Sequence, residues 1–282
     1  MTNKSSATSP AKQLVLRVNG LTKAYRRRRL GWRSHEVIVA ARNVVFEIGA
    51  GETLALVGRS GSGKSTVARC VAGLEKPDAG QISVSGAMIG ELGGCDLRAL
   101  RANFQMIFQD PGTSMNPRFT AAEVVAEPLV IQRIGDRSTR RARSLELMQE
   151  VGLAPSFADR KAAEFSGGQQ QRLAIARALA LKPKLLVLDE ALSGLDLSTE
   201  AQIVNLLLDL QAAHSFAYLF ISHDLALVAR LADRIAFMAH GEIVEEGSIP
   251  SILEQPEHPE VRVLLASART AQSTLAALGF AP

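Results

Sequence analysis

Cysteine, aromatic side chains and long apolar runs are all scarce in this sequence. The chain of 282 residues has two cysteines, Cys70 and Cys95. Two thiols build neither a disulfide framework nor a Cys₄ metal site, and such sparing use fits a reducing cytoplasm. One tryptophan and two tyrosines help keep the aromatic share at 5%, so each aromatic ring invites a separate question. No run of about 18 apolar residues occurs, so no stretch is expected to span a bilayer. Met1 to Pro10 is rich in Ser and Thr and lacks an apolar stretch, unlike a signal peptide; residues 1–12 are expected to form a disordered tail. A strong charge of one sign is also missing. The net charge is +4, too small to require a nucleic-acid partner. The basic excess is largely local, in Arg26 to Arg33, a stretch that carries Trp32 and reads as a solvated hairpin tip.

Apolar residues make up 47% of the chain, enough for a substantial core, and charged residues 21%, which argues against global disorder. The organising stretch is Thr53-Leu54-Ala55-Leu56-Val57 followed by Gly58-Arg59-Ser60-Gly61-Ser62-Gly63-Lys64-Ser65-Thr66. An apolar run, three glycines within six residues, and then Val67, Ala68, Val71 and Ala72 at helical spacing predict strand, loop and helix. This is the phosphate-binding pattern G-x-x-x-x-G-K-[ST]. Backbone N–H groups of the loop and of the helix N-terminus have no intrahelical partner and face an anion favourably. Gly58, Gly61 and Gly63 allow close backbone approach. Lys64 offers a charge to the β/γ-phosphates, Ser65 a hydroxyl to Mg²⁺, and Thr66 a further phosphate contact. Ser60 and Ser62 complete the loop. The stretch implies a nucleoside triphosphate without saying what its energy is used for.

Strand patterns are expected at Leu14 to Val18, Val37 to Ala40, Val44 to Ile48, Gln81 to Ser85 and Phe104 to Phe108, with a turn at Asn19-Gly20. Gln109-Asp110-Pro111 is expected to break the chain. Thr120 to Val151 reads as a separate helical layer with arginines on its solvated face. Ser166 before Gly167-Gly168-Gln169 resembles a second anion-binding helix N-terminus. Leu185 to Leu188 is a buried strand ending in Asp189 and Glu190, and Tyr218 to Ile221 is another ending in Ser222-His223-Asp224. Carboxylates at the C-terminal end of a parallel strand face the ligand crevice. Helices at Ser198 to Ala213 and Leu225 to Leu231 and closing strands at Ile235 to Met238 and Ile243 to Glu246 complete an alternation. It predicts an α/β fold with a mostly parallel sheet. Cys70 reads as a small core residue, and Asp196 as a cap for the helix near Ser198.

Together these motifs resemble the ATP-binding subunit of an ABC transporter over nearly the whole chain. Gly58 to Thr66 is similar to its Walker A loop, Gln109 to its Q-loop, Ser166 to Gln169 to its signature, Leu185 to Asp189 to Walker B, Ser193 to Asp196 to its D-loop and His223 to its switch histidine. Tyr25 falls where the family has an adenine-stacking aromatic. Phe108-Gln109-Asp110-Pro111, Asn116-Pro117-Arg118, Glu164-Phe165 and Pro256-Glu257-His258-Pro259 resemble the oligopeptide/dipeptide/nickel importer branch. The chain departs from that branch at Ala191-Leu192, Gly194 and Glu260-Val261, and its Arg26 to Arg33 insert is long. Its two cysteines are too few for the iron–sulfur site suggested for some dipeptide-type relatives.

The resemblance implies a P-loop NTPase (RecA-like) core, an N-terminal antiparallel β subdomain and an inserted α-helical subdomain at about 95–165. The ATPase domain would cover 13–250, with a C-terminal extension over 251–282. It implies a head-to-tail pair of ATPase subunits, identical or sister, sandwiching two ATPs between the P-loop of one and the signature of the other. Glu190 would be the general base, Asp189 would hold Mg²⁺, His223 would contact the γ-phosphate, and Gln109 would sense Mg²⁺ and the lytic water. Two membrane permeases and an extracytoplasmic solute-binding protein would be the partners, at the cytoplasmic face of the inner membrane, with no nucleic acid. Other classes remain in view: a soluble ABC ATPase acting on nucleic acid or ribosomes, and a P-loop kinase. The former usually carries two cassettes or a long coiled-coil insert, and the latter has no need of Ser166 to Gln169.

Overall fold

The computed structural model describes residues 13–28, 35–91 and 93–267. The elements in chain order are β1 (Leu14–Arg28), β2 (His35–Gly49), β3 (Thr53–Val57), α1 (Lys64–Val71), β4 (Ala79–Val84), β5 (Ala87–Met88), α2 (Gly94–Leu100), β6 (Phe104–Ile107), α3 (Pro111–Ser114), α4 (Ala121–Ile131), α5 (Arg137–Glu150) and α6 (Gly167–Leu179). They continue with β7 (Leu185–Asp189), α7 (Leu197–His214), β8 (Ala217–Ile221), α8 (Leu225–Leu231), β9 (Arg234–Ala239), β10 (Glu242–Ser248) and α9 (Ile249–Glu254). A last helical stretch runs over 259–267.

Two sheets result. The larger has the order β10-β9-β3-β8-β7-β6. Five of its strands are parallel neighbours and only β10 runs antiparallel, at one edge. The smaller is antiparallel, in the order β2-β1-β4-β5. The short apolar strands are apolar throughout because both faces of the large sheet are covered. Their side chains alternate between two cores, as the two-residue period requires. Ala55, Val57, Leu186, Leu188, Tyr218, Phe220, Ile235 and Phe237 join the core made with α4 to α9. Leu54, Leu56, Leu185, Val187, Leu219, Ile221, Ala236 and Met238 join the core made with α1 and the antiparallel sheet. The helix after the glycine loop therefore lies between the two sheets, and Cys70 on it is fully buried. Burial raises its thiol pKa to about 11, with the nearby Glu75 adding to the shift, so it acts as a core residue.

Three local expectations are corrected. Asn19-Gly20 is not a turn but part of β1, at a register shift between Val18 and Leu21. Gly20 has φ 66° there, and a Cβ on Gly80 would stand 2.3 Å from its carbonyl oxygen, so two glycines let the chains pass closely. Val37 to Ala40 and Val44 to Ile48 are one strand, β2, in which Asn43 takes φ 49° and the Arg42 N–H donates to Gly241 O at 2.7 Å. Pro111 does not only end β6; it opens α3, where Asp110 caps and accepts from Gly112 N–H. Proline suits the first helical position because no N–H is needed there. The tail at 1–12, Arg29 to Arg33 with Trp32, and 268–282 lie outside the described residues. Among the described residues no helix is long and apolar enough to cross a membrane.

Candidate active site

The glycine loop leaves the centre of the large sheet, between β3 and α1. A Cβ on Gly58 would stand 2.2 Å from Met238 O, and one on Gly63, at φ 108°, would stand 1.8 Å from Ala40 O. Gly61 has φ 81° and open space around it. The first two glycines are therefore fixed by packing, the third by backbone conformation. Gly241 N–H donates to Ser62 O at 3.1 Å, so the β9–β10 hairpin braces the loop from behind. The Ser62 hydroxyl is buried beside Gly58 without a hydrogen-bond partner. Lys64 is buried and its Nζ donates to Gly58 O at 2.8 Å and Arg59 O at 3.1 Å. Burial lowers its pKa, opposed by the nearby Glu190 and Asp189.

The end of β7 approaches the loop from the neighbouring part of the sheet. Ser65 Oγ donates to Asp189 Oδ1 at 3.1 Å. Burial raises the Asp189 pKa most, the Ser65 hydrogen bond opposes this, and Glu190 adds to it. A buried carboxylate beside a hydroxyl and a second carboxylate is a set of hard oxygen donors that suits Mg²⁺ shared with a polyphosphate. Glu190 sits at φ 48° with its N–H on Ile221 O at 3.0 Å and its carbonyl accepting from Ser193 N–H and Oγ. A non-glycine residue in the left-handed region costs of order 1–3 kcal/mol and is commonly kept at functional sites. His223 follows β8, and its Nδ1 lies 3.7 Å from Glu190 Oε1 with the ring 66% exposed. Gln109 is exposed just beyond β6. It stands two residues past the Ile107–Leu188 pairing, as Glu190 does, so both lie at the same end of the sheet.

Tyr25 reaches the site from β1. It is half-buried, its hydroxyl donates to Glu75 in a short hydrogen bond, and it lies 3.4 Å from Thr66 Oγ1. Burial and then Glu75 raise its pKa. The ring is thus fixed against the end of α1, beside the loop. Glu75 as its anchor had no sequence signal, since 50 residues separate the pair.

Ser166 to Gln169 form a second cluster. Ser166 Oγ accepts from Gln169 N–H at 3.4 Å and Gln169 Oε1 accepts from Ser166 N–H at 3.1 Å, a reciprocal capping box at the start of α6. Ser166 and Gly167 are exposed. A Cβ on Gly168 would stand 2.4 Å from Thr199 Cγ2. Asp196 binds the same Thr199 through its N–H at 2.9 Å and hydroxyl at 2.7 Å. These bonds hold the Asp196 pKa below its usual value, the hydroxyl bond most. Asp196 is therefore a helix cap, as its sequence suggests, and Thr199 is the residue that joins it to Gly168. Among the described residues no hydrogen bond or ion pair links this cluster to the glycine loop. The glycine loop lies with Asp189, Glu190 and His223, and the α6 N-terminus forms a separate, exposed cluster.

A family profile described as ABC transporter matches residues 41–193. The chain is 46% identical over 256 residues to a probable peptide ABC transporter ATP-binding protein, y4tS, of Sinorhizobium fredii, covering 90% of this chain and 72% of that one. It is 48% identical over 233 residues to the glutathione import ATP-binding protein GsiA of Escherichia coli O6:H1, covering 83% of this chain and 37% of that one. The chain thus spans little more than a third of the length of that relative. Among solved structures, a dimeric post-hydrolysis state of the ATP-binding cassette MJ0796 with ADP and Pi matches with TM-score 0.74 and 32% identity over 83% of this chain and 98% of that one. CbiO1 of Clostridium perfringens, part of the ABC transporter complex cbiONQ, matches with TM-score 0.73 and 25% identity over 86% of this chain and 92% of that one. With its glycine loop, paired acids and signature in one fold, the chain belongs to the ABC transporter family and is an ATP-binding, ATP-hydrolysing cassette of it.

Proposed function

We propose that this chain is the ATPase subunit of an importer that takes up peptides, nickel or a related small solute. It would work at the cytoplasmic face of the inner membrane beside a second ATPase, identical or sister, two permeases and a solute-binding protein. The observation that carries the paired-ATPase part is the split site: the glycine loop and Glu190 lie apart from the exposed N-terminus of α6. The names of the peptide and glutathione relatives favour the peptide side of the branch.

In this reading Gly58, Ser60, Gly61, Ser62, Gly63, Lys64, Ser65 and Thr66 hold the phosphates, and Tyr25 carries the adenine. Ser166, Gly167, Gly168 and Gln169, with Asp196 beside them, receive the partner's ATP. Ser65, Asp189 and Gln109 would hold Mg²⁺, which when bound neutralises phosphate charge. Glu190 accepts the proton of the attacking water, and His223 stands beside it to stabilise the γ-phosphate. The catalytic load is positioning and electrostatics. The ATPase domain would run over 13–250, with the helical subdomain at about 95–165 and the C-terminal extension from 251.

The test is capture of partners from detergent-solubilised membranes with ATP and the Glu190→Gln chain. Two permeases and a second ATPase are expected, and a co-purified binding protein's ligand would name the solute. Recovery of ribosomes, DNA or soluble partners alone would refute the importer reading.

A further inference from the structure

The turn that follows α1 grips the strand that carries Tyr25. Gly73 takes φ 61° just past the helix, and its N–H donates to Cys70 O at 3.0 Å. The N–H groups of Leu74 and Glu75 both return to Arg69 O, at 2.9 Å and 3.2 Å. A glycine in the left-handed region ends a helix in this way and turns the chain back along it. Glu75 is therefore folded back beside α1, where its two carboxylate oxygens take separate partners. Oε2 accepts from the Tyr25 hydroxyl, and Oε1 stands 3.6 Å from Arg69 Nη1, with the Glu75 side chain 25% exposed.

The same turn holds the backbone around Tyr25. Asp78 Oδ2 accepts from Ala24 N–H at 2.7 Å, and Asp78 N–H donates to Thr22 O at 2.9 Å. Lys23 Nζ donates to Lys76 O at 2.8 Å and to Asp78 Oδ1 at 3.3 Å. Strand and ring are thus anchored separately, the strand by Lys76 and Asp78 and the ring by Glu75. A tyrosine ring turns about two torsions, which bonds to the backbone leave free. The hydroxyl bond to Glu75 fixes the far end of the ring, 3.4 Å from Thr66 Oγ1 at the edge of the glycine loop.

We propose that Glu75 is a positioning residue for the base of the bound nucleotide. By holding the Tyr25 hydroxyl it fixes the ring against which adenine packs, and so sets how strongly the site prefers a nucleotide to a bare sugar triphosphate. The inference rests on the ATP reading given above, in which Tyr25 carries the adenine. Physically, a free ring gives up torsional freedom when a base stacks on it, whereas an anchored ring has already done so on folding. Arg69 gives the carboxylate its direction by standing at the other oxygen. Glu75 lies outside the glycine loop, so the contributions of base and phosphates to binding can be separated by experiment.

The test is equilibrium titration of the full chain with ATP and with ribose 5′-triphosphate, which lacks only the base. Both are added with Mg²⁺ in the Glu190→Gln background, so that neither ligand is consumed. The ratio of the two affinities is the base preference. The parent should prefer ATP, and Tyr25→Ala should abolish the preference. Glu75→Leu should weaken ATP binding by about 2- to 12-fold, the worth of one net hydrogen bond, and leave ribose 5′-triphosphate binding unchanged. Tyr25→Phe keeps the ring, removes the hydroxyl and should do the same; it decides the matter if Glu75→Leu fails to fold. The double variant should bind ATP no more weakly than either single one, as the two ends of one hydrogen bond require. A merely structural role would move both affinities together or neither, and either result overturns the proposal. A preference kept in full by Glu75→Leu or Tyr25→Phe but lost in Tyr25→Ala overturns it and leaves the adenine reading of Tyr25 intact. No preference in the parent, or one that Tyr25→Ala keeps, sinks that reading and the proposal together.

Discussion

At the residue scale, the chemistry is concentrated in side chains whose surroundings oppose their charge. Lys64 and Asp189 are both buried, and burial alone disfavours both charged forms. Glu190 and then Asp189 oppose the effect on Lys64, and the Ser65 hydrogen bond opposes it at Asp189 ahead of Arg69 and Lys64. Replacing Glu190 by glutamine keeps the shape and removes the carboxylate that is the base in the proposed function. Glu190→Gln should retain ATP binding, read by equilibrium titration, and lose about 10²–10⁴-fold in steady-state turnover. The loop behind it tolerates less. Gly63→Ala sets a Cβ 1.8 Å from a backbone oxygen at φ 108°. Neither the conformation nor the neighbour can yield cheaply, so chemical denaturation should report a loss of more than about 1 kcal/mol, with nucleotide binding impaired.

At the element scale, helix starts carry both stability and function, and substitutions can separate the two. Ser166 caps α6 through its hydroxyl, a role asparagine fills equally well. Ser166→Ala should cost about 0.5–2 kcal/mol in urea unfolding. Ser166→Asn should restore the stability, yet leave turnover low if the hydroxyl and the small space around it serve the partner's phosphate. Equal turnover in the asparagine variant and the parent would limit Ser166 to capping. At the start of α5, Asp136 accepts from Thr139 N–H and Ser138 Oγ, and these bonds pull its pKa from 3.8 down to about 2. A depressed carboxyl pKa means the unfolded chain takes up the proton first as pH falls. Its contribution is therefore present above pH 3.8 and is lost as pH falls from there to about 2. Asp136→Asn should remove this part of the acid sensitivity, seen as a shallower fall in unfolding free energy than the parent across that window.

At the scale of the whole molecule, the glycine loop with its acids and the exposed α6 N-terminus are two separate faces, which in the proposed pair would meet across one ATP. Asp189, Glu190 and His223 stand by the glycine loop, while the α6 N-terminus, capped by Ser166, is exposed. ATP placed between two chains would satisfy both, so nucleotide and association are linked. In sedimentation velocity, the Glu190→Gln chain should shift from monomer to dimer on adding ATP with Mg²⁺, and Ser166→Ala in the same background should weaken the shift. If this chain pairs only with a sister subunit, the shift should appear once that partner is added. A chain that stays monomeric with ATP and every co-purified ATPase would refute the sandwich.

The sequence determined the local elements and most of the chemistry. Three glycines at fixed offsets, an apolar run ending in Asp189-Glu190 and a serine before two glycines each state a requirement met within a few residues, by backbone geometry or strand burial. These are short-range constraints, and short-range constraints are written in the sequence. The Asn19-Gly20 signal misled because a dipeptide that favours a turn also favours a bulge, and only pairing with β4 decides which. What the tertiary structure alone decided are the contacts between distant residues. Ala40 and Met238 make Gly63 and Gly58 obligatory, Glu75 fixes Tyr25, Thr199 packs against Gly168, and Arg177 donates to Ser114, tying the segment after Gln109 to α6. None of these pairs has a spacing or a composition to mark it. They exist because the two sheets clasp α1 and the helices stack on the opposite face, which brings together side chains that nothing in the linear order relates.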